Sequence, residues 1–316
     1  MLTDIVLLVL GLALVVLGAD YLVDGSSAIA RRLGISEFVI GLTIVGMGTS
    51  APEMVVSLIG AIQGKGDIAV GNVLGSNIFN TLLILGVTAL ILPMDILREN
   101  RRRDIPMNLV GTLILIGLGW WGMGLSLLDG AVLLVLFAAY MGYCFHNGKD
   151  DVPMADDTAH QEEKVPSVWL AALMVAGGLA ALVLGGNWFV NSATGLAASL
   201  GVSDKFVAIT ILAGGTSLPE LATCVAAAVK KKGQLALGNI IGSNLFNILL
   251  ILGGSALIHP LSFQDISYVD LGALLVSALA LCSCLFVGRR NQLDRLDGAL
   301  FVALWLAYMT YLIIHL

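Results

Sequence analysis

The sequence predicts an all-α integral membrane protein of ten transmembrane helices, arranged as two inverted-topology five-helix repeats with helices two and seven broken near their middles. Three observations predict it: the composition, ten apolar runs, and an internal repeat at one fixed spacing. Of 316 residues, 58% are hydrophobic and 12% are charged, against about 25% charged in an average soluble domain. So little polar sequence cannot cover a surface that faces water.

The apolar runs fall near 5–23, 38–62, 68–93, 105–123, 125–145, 167–190, 206–229, 235–258, 268–287 and 297–314. About 20 apolar residues cross a bilayer core. No basic residue precedes the first run, which continues to about Val23, longer than the apolar core of a signal peptide; it is expected to span the membrane. The connections are short except for the stretch 147–166. Its acids, Asp150, Asp151, Asp156, Asp157, Glu162 and Glu163, lack the spacing of a calcium-binding loop and read as a solvated linker.

Orientation follows from Lys and Arg. With both termini outside, Lys65 and Lys205 alone fall in outer loops, and the other fourteen of sixteen fall in inner ones. The positive-inside rule requires that bias. Trp120, Trp121, Trp169 and Trp188 are expected near helix ends, and so are Asp20, Asp24, Asp129 and Asp270, where water or headgroups reach them. The domains expected are a first half over 1–146, a cytoplasmic linker over 147–166 and a second half over 167–316.

The same composition excludes other classes. A net charge of −6 leaves no basic face for nucleic acid. Cys144, Cys224, Cys282 and Cys284 form neither a C-x-x-C pair nor a disulfide framework.

The repeat has an offset of 167 residues. Residues 43–53 read TIVGMGTSAPE and 210–220 read TILAGGTSLPE; 71–86 read GNVLGSNIFNTLLILG and 238–253 read GNIIGSNLFNILLILG. Between 33–86 and 200–253, 26 of 54 positions are identical without a gap. Five spans per half is an odd number, so the second copy enters the membrane upside down. Inverted repeats of this kind recur in transporters, with ions bound near the midplane where broken helices meet.

The repeated residues carry the chemistry. Glu53 and Glu220 fall near the centres of spans two and seven, where a charged carboxylate costs at least several kcal/mol and is usually functional. Ser50-Ala51-Pro52-Glu53 and Ser217-Leu218-Pro219-Glu220 both fit the capping-box pattern, which implies a helix that stops and restarts in mid-membrane. Non-helical backbone at that depth persists only where it lines protein or a watery cavity. Spans three and eight add Asn72, Ser76, Asn77 and Asn80, then Asn239, Ser243, Asn244 and Asn247. Ser76 and Asn80 share a helical face; Asn72, Asn77 and their counterparts are as well suited to bonding helix to helix. Gly71 with Gly75, and Gly238 with Gly242, form G-x-x-x-G faces for close packing.

Two carboxylates with hydroxyl, amide and backbone oxygens make an all-oxygen site for hard cations. No His lies in a span centre. Two negative charges balance one Ca2+ or two Na+, and a site costly to leave empty but neutralised by either load couples the two fluxes. That is antiport. An intramembrane hydrolase would need a His or Lys base beside Ser50 or Ser217, and none is expected within the spans; a passive channel would lack countertransport.

These paired G-T-S-x-P-E and G-N-x-x-G-S-N-x-F-N blocks resemble the alpha repeats, here about 33–86 and 200–253, of the calcium/cation antiporter superfamily. The resemblance is nearest to the bacterial sodium/calcium exchanger branch, the potassium-dependent exchanger homologues. It implies that Glu53 and Glu220 are shared Ca2+ ligands, with Thr49, Ser50, Thr216 and Ser217 in the adjoining ligand segments. Gly46 and Ala213 would offer backbone oxygens, and Ser76, Asn80, Ser243 and Asn247 would complete the site. It also implies that spans one and six slide over the core, which the Gly-rich runs 17–26 and 184–193 suit. The resemblance further implies Na+/Ca2+ exchange in a bacterial inner membrane, without an enzymatic activity or cofactor and with the chain working as a monomer in the lipid bilayer. Some exchangers carry an acid where this chain has Asn80 or Asn247. The amides leave dependence on K+ open and keep H+ exchange for a divalent ion as the alternative.

Overall fold

The computed structural model describes residues 2–122, 124–147, 166–199, 213–263, 266–286 and 291–315. The described chain is mostly helical, as apolar sequence in lipid must be, because no water is present to satisfy unpaired backbone groups. Six of its helices are long and apolar enough to cross a membrane, and one bent pair makes a seventh candidate.

In chain order, α1 is Leu2–Leu33. The bent pair is α2, Glu37–Thr49, and α3, Ala51–Ile62. Then come α4, Gly66–Ile91, α5, Ile105–Gly122, α6, Leu127–Asn147, and α7, Val168–Ser199. A helical turn at Ala213–Gly215 precedes α8, Leu218–Val229. The chain closes with α9, Gly233–Ile258, α10, Tyr268–Ser283, and α11, Arg295–Ile314. The repeat is visible in the boundaries, since α3 and α8 begin and end 167 residues apart. Four strands of two residues each join the halves: β1, Met94–Asp95, pairs with β4, Gln292–Leu293, and β2, Gly124–Leu125, pairs with β3, Leu261–Ser262, both antiparallel.

Burial sorts the helices into layers. The apolar window of α9 is 94% buried and that of α4 67%, against 17% for α11 and 22% for α1 and α6. The centre is therefore α4 and α9, the two helices rich in Asn and Ser, and the apolar exterior is turned toward lipid. Glycine permits the closest approaches. A Cβ on Gly238 would strike the carbonyl of Phe38, and one on Gly242 the carbonyl of Leu42, so the second G-x-x-x-G face packs α9 against α2 as expected. Near Gly71 the closest atom among the described residues belongs to Ile266, and residues 205–209, the counterpart of Phe38–Leu42, lie outside the described set.

The helices α1 and α7 also pack backbone to backbone. Gly11, Gly18 and Gly25, seven residues apart, face Gly185, Gly178 and Ala171; a Cβ on Gly18 would lie 2.8 Å from the Gly178 carbonyl oxygen. Partner numbers fall as α1 rises, so the two helices run antiparallel.

Side-chain contacts define two ends. At the basic end, Lys230 meets Asp20 and Asp24, Lys232 meets Glu37, Arg32 bonds the Pro166 carbonyl, and Arg101 bonds Asn291. At the opposite end, Gly64 lies against His259, Gly66 against Leu261, and Gly195 against Asp4.

Several expected boundaries move. The first helix runs ten residues past Val23, to Leu33, because Gly25, Ser26, Ser27 and Ala28 are buried there and Gly34, at φ +63°, supplies the left-handed stop. Asp20 and Asp24 thus lie inside α1 instead of near its end, held by Lys230. Helix α7 likewise runs to Ser199, which puts Trp188 well inside it. Asp129 and Asp270 do sit at helix starts; Asp270 closes a capping box with Ser267. The acids of the linker and the first part of span seven, residues 206–212, lie outside the described residues.

Candidate functional site

The site begins with two bends. Pro52 and Pro219 occupy the second position of α3 and α8, where a missing N–H costs nothing, but a proline ring clashes with the carbonyl four residues back and turns the helix. Those carbonyls belong to Gly48 and Gly215. The axis bends by 49° between α2 and α3, and the hinge residues Ser50 and Ser217 share nearly the same conformation, φ −78°, ψ 8° and φ −87°, ψ 8°.

The capping box expected at each bend does not form. Neither serine hydroxyl caps its own helix. Ser50 Oγ donates to Glu220 Oε1 and Ser217 Oγ donates to Glu53 Oε1, each at 3.1 Å. The proline removes one of the two N–H groups that a cap would accept from, and a carboxylate is the stronger partner. Each half therefore caps the acid of the other. Thr216 lies beside Glu53, and Thr49 beside Glu220, in the same crossed sense.

The central helices close the ring. Ser76 Oγ donates to Glu53 Oε1 at 3.4 Å, and Ser243 Oγ donates to the Gly46 carbonyl at 3.3 Å. Thr49 Oγ1 lies 3.2 Å from Asn239 Oδ1 and 3.4 Å from the Gly46 oxygen. Asn80 Nδ2 donates to Asn244 Oδ1, and Asn247 Nδ2 donates to Asn77 Oδ1, at 3.3 and 3.0 Å. Those bonds commit the amide nitrogens and leave the oxygens. Both asparagines are the second residue of a π-helical stretch, Phe79–Ile84 and Phe246–Leu252, the wider winding that recurs at functional sites.

Glu53, Glu220, Asn80 and Asn247 are fully buried. Glu53 Oε2, Glu220 Oε2, Asn80 Oδ1 and Asn247 Oδ1 have no hydrogen-bond partner. All four are acceptors, and they form two repeat-related pairs. A buried polar atom left unsatisfied costs about 1–3 kcal/mol, more when charged. Oxygens in that state are the chemistry that a hard cation satisfies. Among the described residues no group of three or more His, Cys, Asp or Glu could hold a metal, so a cation here would meet two carboxylates and neutral oxygens.

The structure thus brings together Glu53, Glu220, Ser50, Ser217, Thr49, Thr216, Ser76, Ser243 and Gly46, with Asn80 and Asn247 oriented by the amides beside them. Ala213 opens the helical turn before α8. Asn72 bonds helix to helix, donating to the Glu53 carbonyl and to Ser57. Asn77 does the same toward the Asn244 carbonyl.

Sequence reasoning passed over Thr81, which accepts from Asn244 Nδ2 at 2.8 Å. Its counterpart is Ile248, and a search for repeated residues discards it. Reasoning also missed Asn187 and Asn191. They line a cavity of about 450 Å³ between α3 and α7, beside Pro52, Val56, Val183 and Thr216. Their signal was available as the counterparts of Asp20 and Asp24.

Comparison with known proteins places the chain in a family. The chain matches the sodium/calcium exchanger protein family over residues 3–146 and 170–314. It is 40% identical to the putative antiporter CaxA of Alkalimonas amylolytica, over 98% of both chains. It is 34% identical to the inner membrane protein YrbG of Escherichia coli, over 99% of this chain and 98% of that one. Its fold superposes on the sodium-calcium exchanger NCX_Mj with a TM-score of 0.84 and 34% identity, covering 97% of each chain. A helical membrane chain with these relatives is a cation antiporter, a transporter and not an enzyme. It belongs to the sodium/calcium exchanger family.

Proposed function

We propose that this protein exchanges Na+ for Ca2+ across a bacterial inner membrane by alternating access, using Glu53 and Glu220 as the shared charged ligands of a midplane site. Ser50, Ser217, Thr49, Thr216, Ser76, Ser243, the Asn80 and Asn247 amide oxygens and the Gly46 and Ala213 carbonyls complete the ligand set. The observation that carries this reading is the crossed capping: each repeat supplies the hydroxyls for the carboxylate of the other, and the four leftover acceptors are all oxygens. Such a site is costly empty, and either one Ca2+ or two Na+ balances its formal charge. The halves are residues 1–146 and 167–316, joined by the linker 147–166, with ten spans in all and inverted topology. The antiparallel packing of α1 on its counterpart α7 supports the inversion. The basic end faces the cytoplasm by the positive-inside rule, and both termini lie outside.

Purified protein in sealed vesicles tests this directly. An outward Na+ gradient is expected to drive uptake of Ca2+, and dissipating that gradient should stop it. Uptake that follows a proton gradient and ignores Na+ would replace the sodium reading with H+ exchange.

A second expectation concerns the amides. Asn80→Ala and Asn247→Ala each remove one oxygen and leave the carboxylates in place. Each should raise the Ca2+ concentration for half-maximal transport about tenfold, the equivalent of about 1.4 kcal/mol for one lost neutral ligand. An unchanged half-saturation in both variants would remove the amides from the site.

A further inference from the structure

Lys230 makes a charged link between the long first helix and the helix that carries Glu220. Its Nζ lies 2.9 Å from Asp24 Oδ1 and 3.1 Å from Asp20 Oδ1, and it donates to the Asp20 carbonyl at 3.2 Å. Asp20 and Asp24 are four residues apart, on one face of α1. Lys230 stands at the C-terminal end of α8, whose first turn holds Glu220, and α1 packs along α8. Partial burial works to lower the Lys230 pKa, but the hydrogen bonds and charges of Asp24 and Asp20 outweigh it, so the pKa rises and the ammonium stays charged.

The repeat supplies an internal comparison. One repeat on from Asp20 and Asp24 stand Asn187 and Asn191, and one repeat back from Lys230 stands Gln63. None of the three is charged, so these three positions form no counterpart of the Lys230 ion pair. There Asn187 and Asn191 face the cavity that separates α7 from α3, whereas at the basic end α1 is closed on α8. The charged copy of the contact is shut, and the neutral copy is open.

We propose that Lys230 is a positioning residue that pins α1 onto α8, keeps the basic-end path to the site closed, and biases the resting protein toward access from the opposite end. The consequence for transport rests on the exchange function proposed above; the conformational bias does not. Partly exposed ion pairs shift equilibria modestly, so the expected bias is about three- to tenfold.

Two readouts taken without ion gradients test the proposal. In a variant with all four native cysteines replaced, Val183→Cys on the cavity wall should react with a membrane-impermeant maleimide supplied at the opposite end. Adding Lys230→Gln should slow that reaction in proportion to the lost open fraction, by no more than the about three- to tenfold shift of the equilibrium itself, and Lys230→Arg should restore the original rate. In the chain with its native cysteines, Lys230→Gln should raise backbone hydrogen exchange over residues 20–33 of α1, and Lys230→Arg should not. The pair Lys230→Asp with Asp24→Lys should restore both readouts. Equal behaviour of the Gln and Arg variants, or no change in either, would overturn the latch. Lys230 variants that show these shifts, with a parent protein that takes up no Ca2+ on a Na+ gradient, would remove the exchange reading and keep the latch.

Discussion

Replacing Glu53 by Gln, or Glu220 by Gln, is expected to abolish Ca2+ transport while leaving the protein folded in the membrane. Glutamine keeps the shape and retains an oxygen that can accept from Ser217 or Ser50, so the crossed bonds persist. What it loses is one of two formal charges. A Ca2+ ion then meets a single carboxylate in a fully buried place, and the net positive charge has no countercharge. Removing one partner of a buried ion pair costs about 3–5 kcal/mol, equivalent to a loss of roughly a hundredfold to several thousandfold in affinity. Without ions the effect on stability runs the other way. Glu53 and Glu220 are both fully buried, where an uncompensated charge is costly, and taking away one charge removes that cost. The thermal unfolding midpoint of either variant in ion-free detergent should equal or exceed that of the parent. Vesicle flux and thermal unfolding, measured on the same preparations, separate loss of the site from loss of the fold. Transport at the parental rate by either variant would end the two-carboxylate reading.

The second large effect is on the core. Gly242→Val is expected to destabilise the protein severely, because the added Cβ falls on the backbone of Leu42 and not on a movable side chain. Ordinary overpacking costs about 1–3 kcal/mol, since side chains can rotate away. Here relief requires shifting α2 from α9, which would also displace Gly46 from Ser243. A loss of at least about 3 kcal/mol is expected, visible as a lowered unfolding midpoint or failure to accumulate in the membrane. Gly142→Ala is the control. That residue is exposed on α6, and an added Cβ meets nothing within 4 Å among the described residues, so the greater helix propensity of Ala, about 1 kcal/mol, should leave stability equal or higher. Parental stability in the Gly242 variant would contradict the close approach of α2 and α9.

Much of this was legible because the chain states its key residues twice. Glu53 and Glu220 stood out as carboxylates in apolar surroundings, and the matching Ser and Asn positions followed from the 167-residue offset. The reading failed where the repeat is broken or where a local pattern has a rival. Thr81 escaped because its counterpart is Ile248. The capping box was a sound local pattern, but it could not anticipate that the carboxylate of the other half would compete for the hydroxyl and win. The length of α1 was hidden because Asp20, Asp24 and the small polar residues after them look like the end of a span. Only the burial of Gly25, Ser26, Ser27 and Ala28 and the contact of Lys230 with the two acids continue the helix.

By itself the sequence determined the helical membrane class, the placing of two acids in apolar surroundings and the symmetric pairing of polar positions. Those properties follow from solvent preference and periodicity, which are local and additive along the chain. The tertiary structure decided which hydroxyl serves which carboxylate, which amide oxygens are left over, and which end of the molecule is closed. Each of these depends on groups more than 160 residues apart meeting across a helix interface, and such a meeting is set by how the two halves pack, information that neither half carries alone.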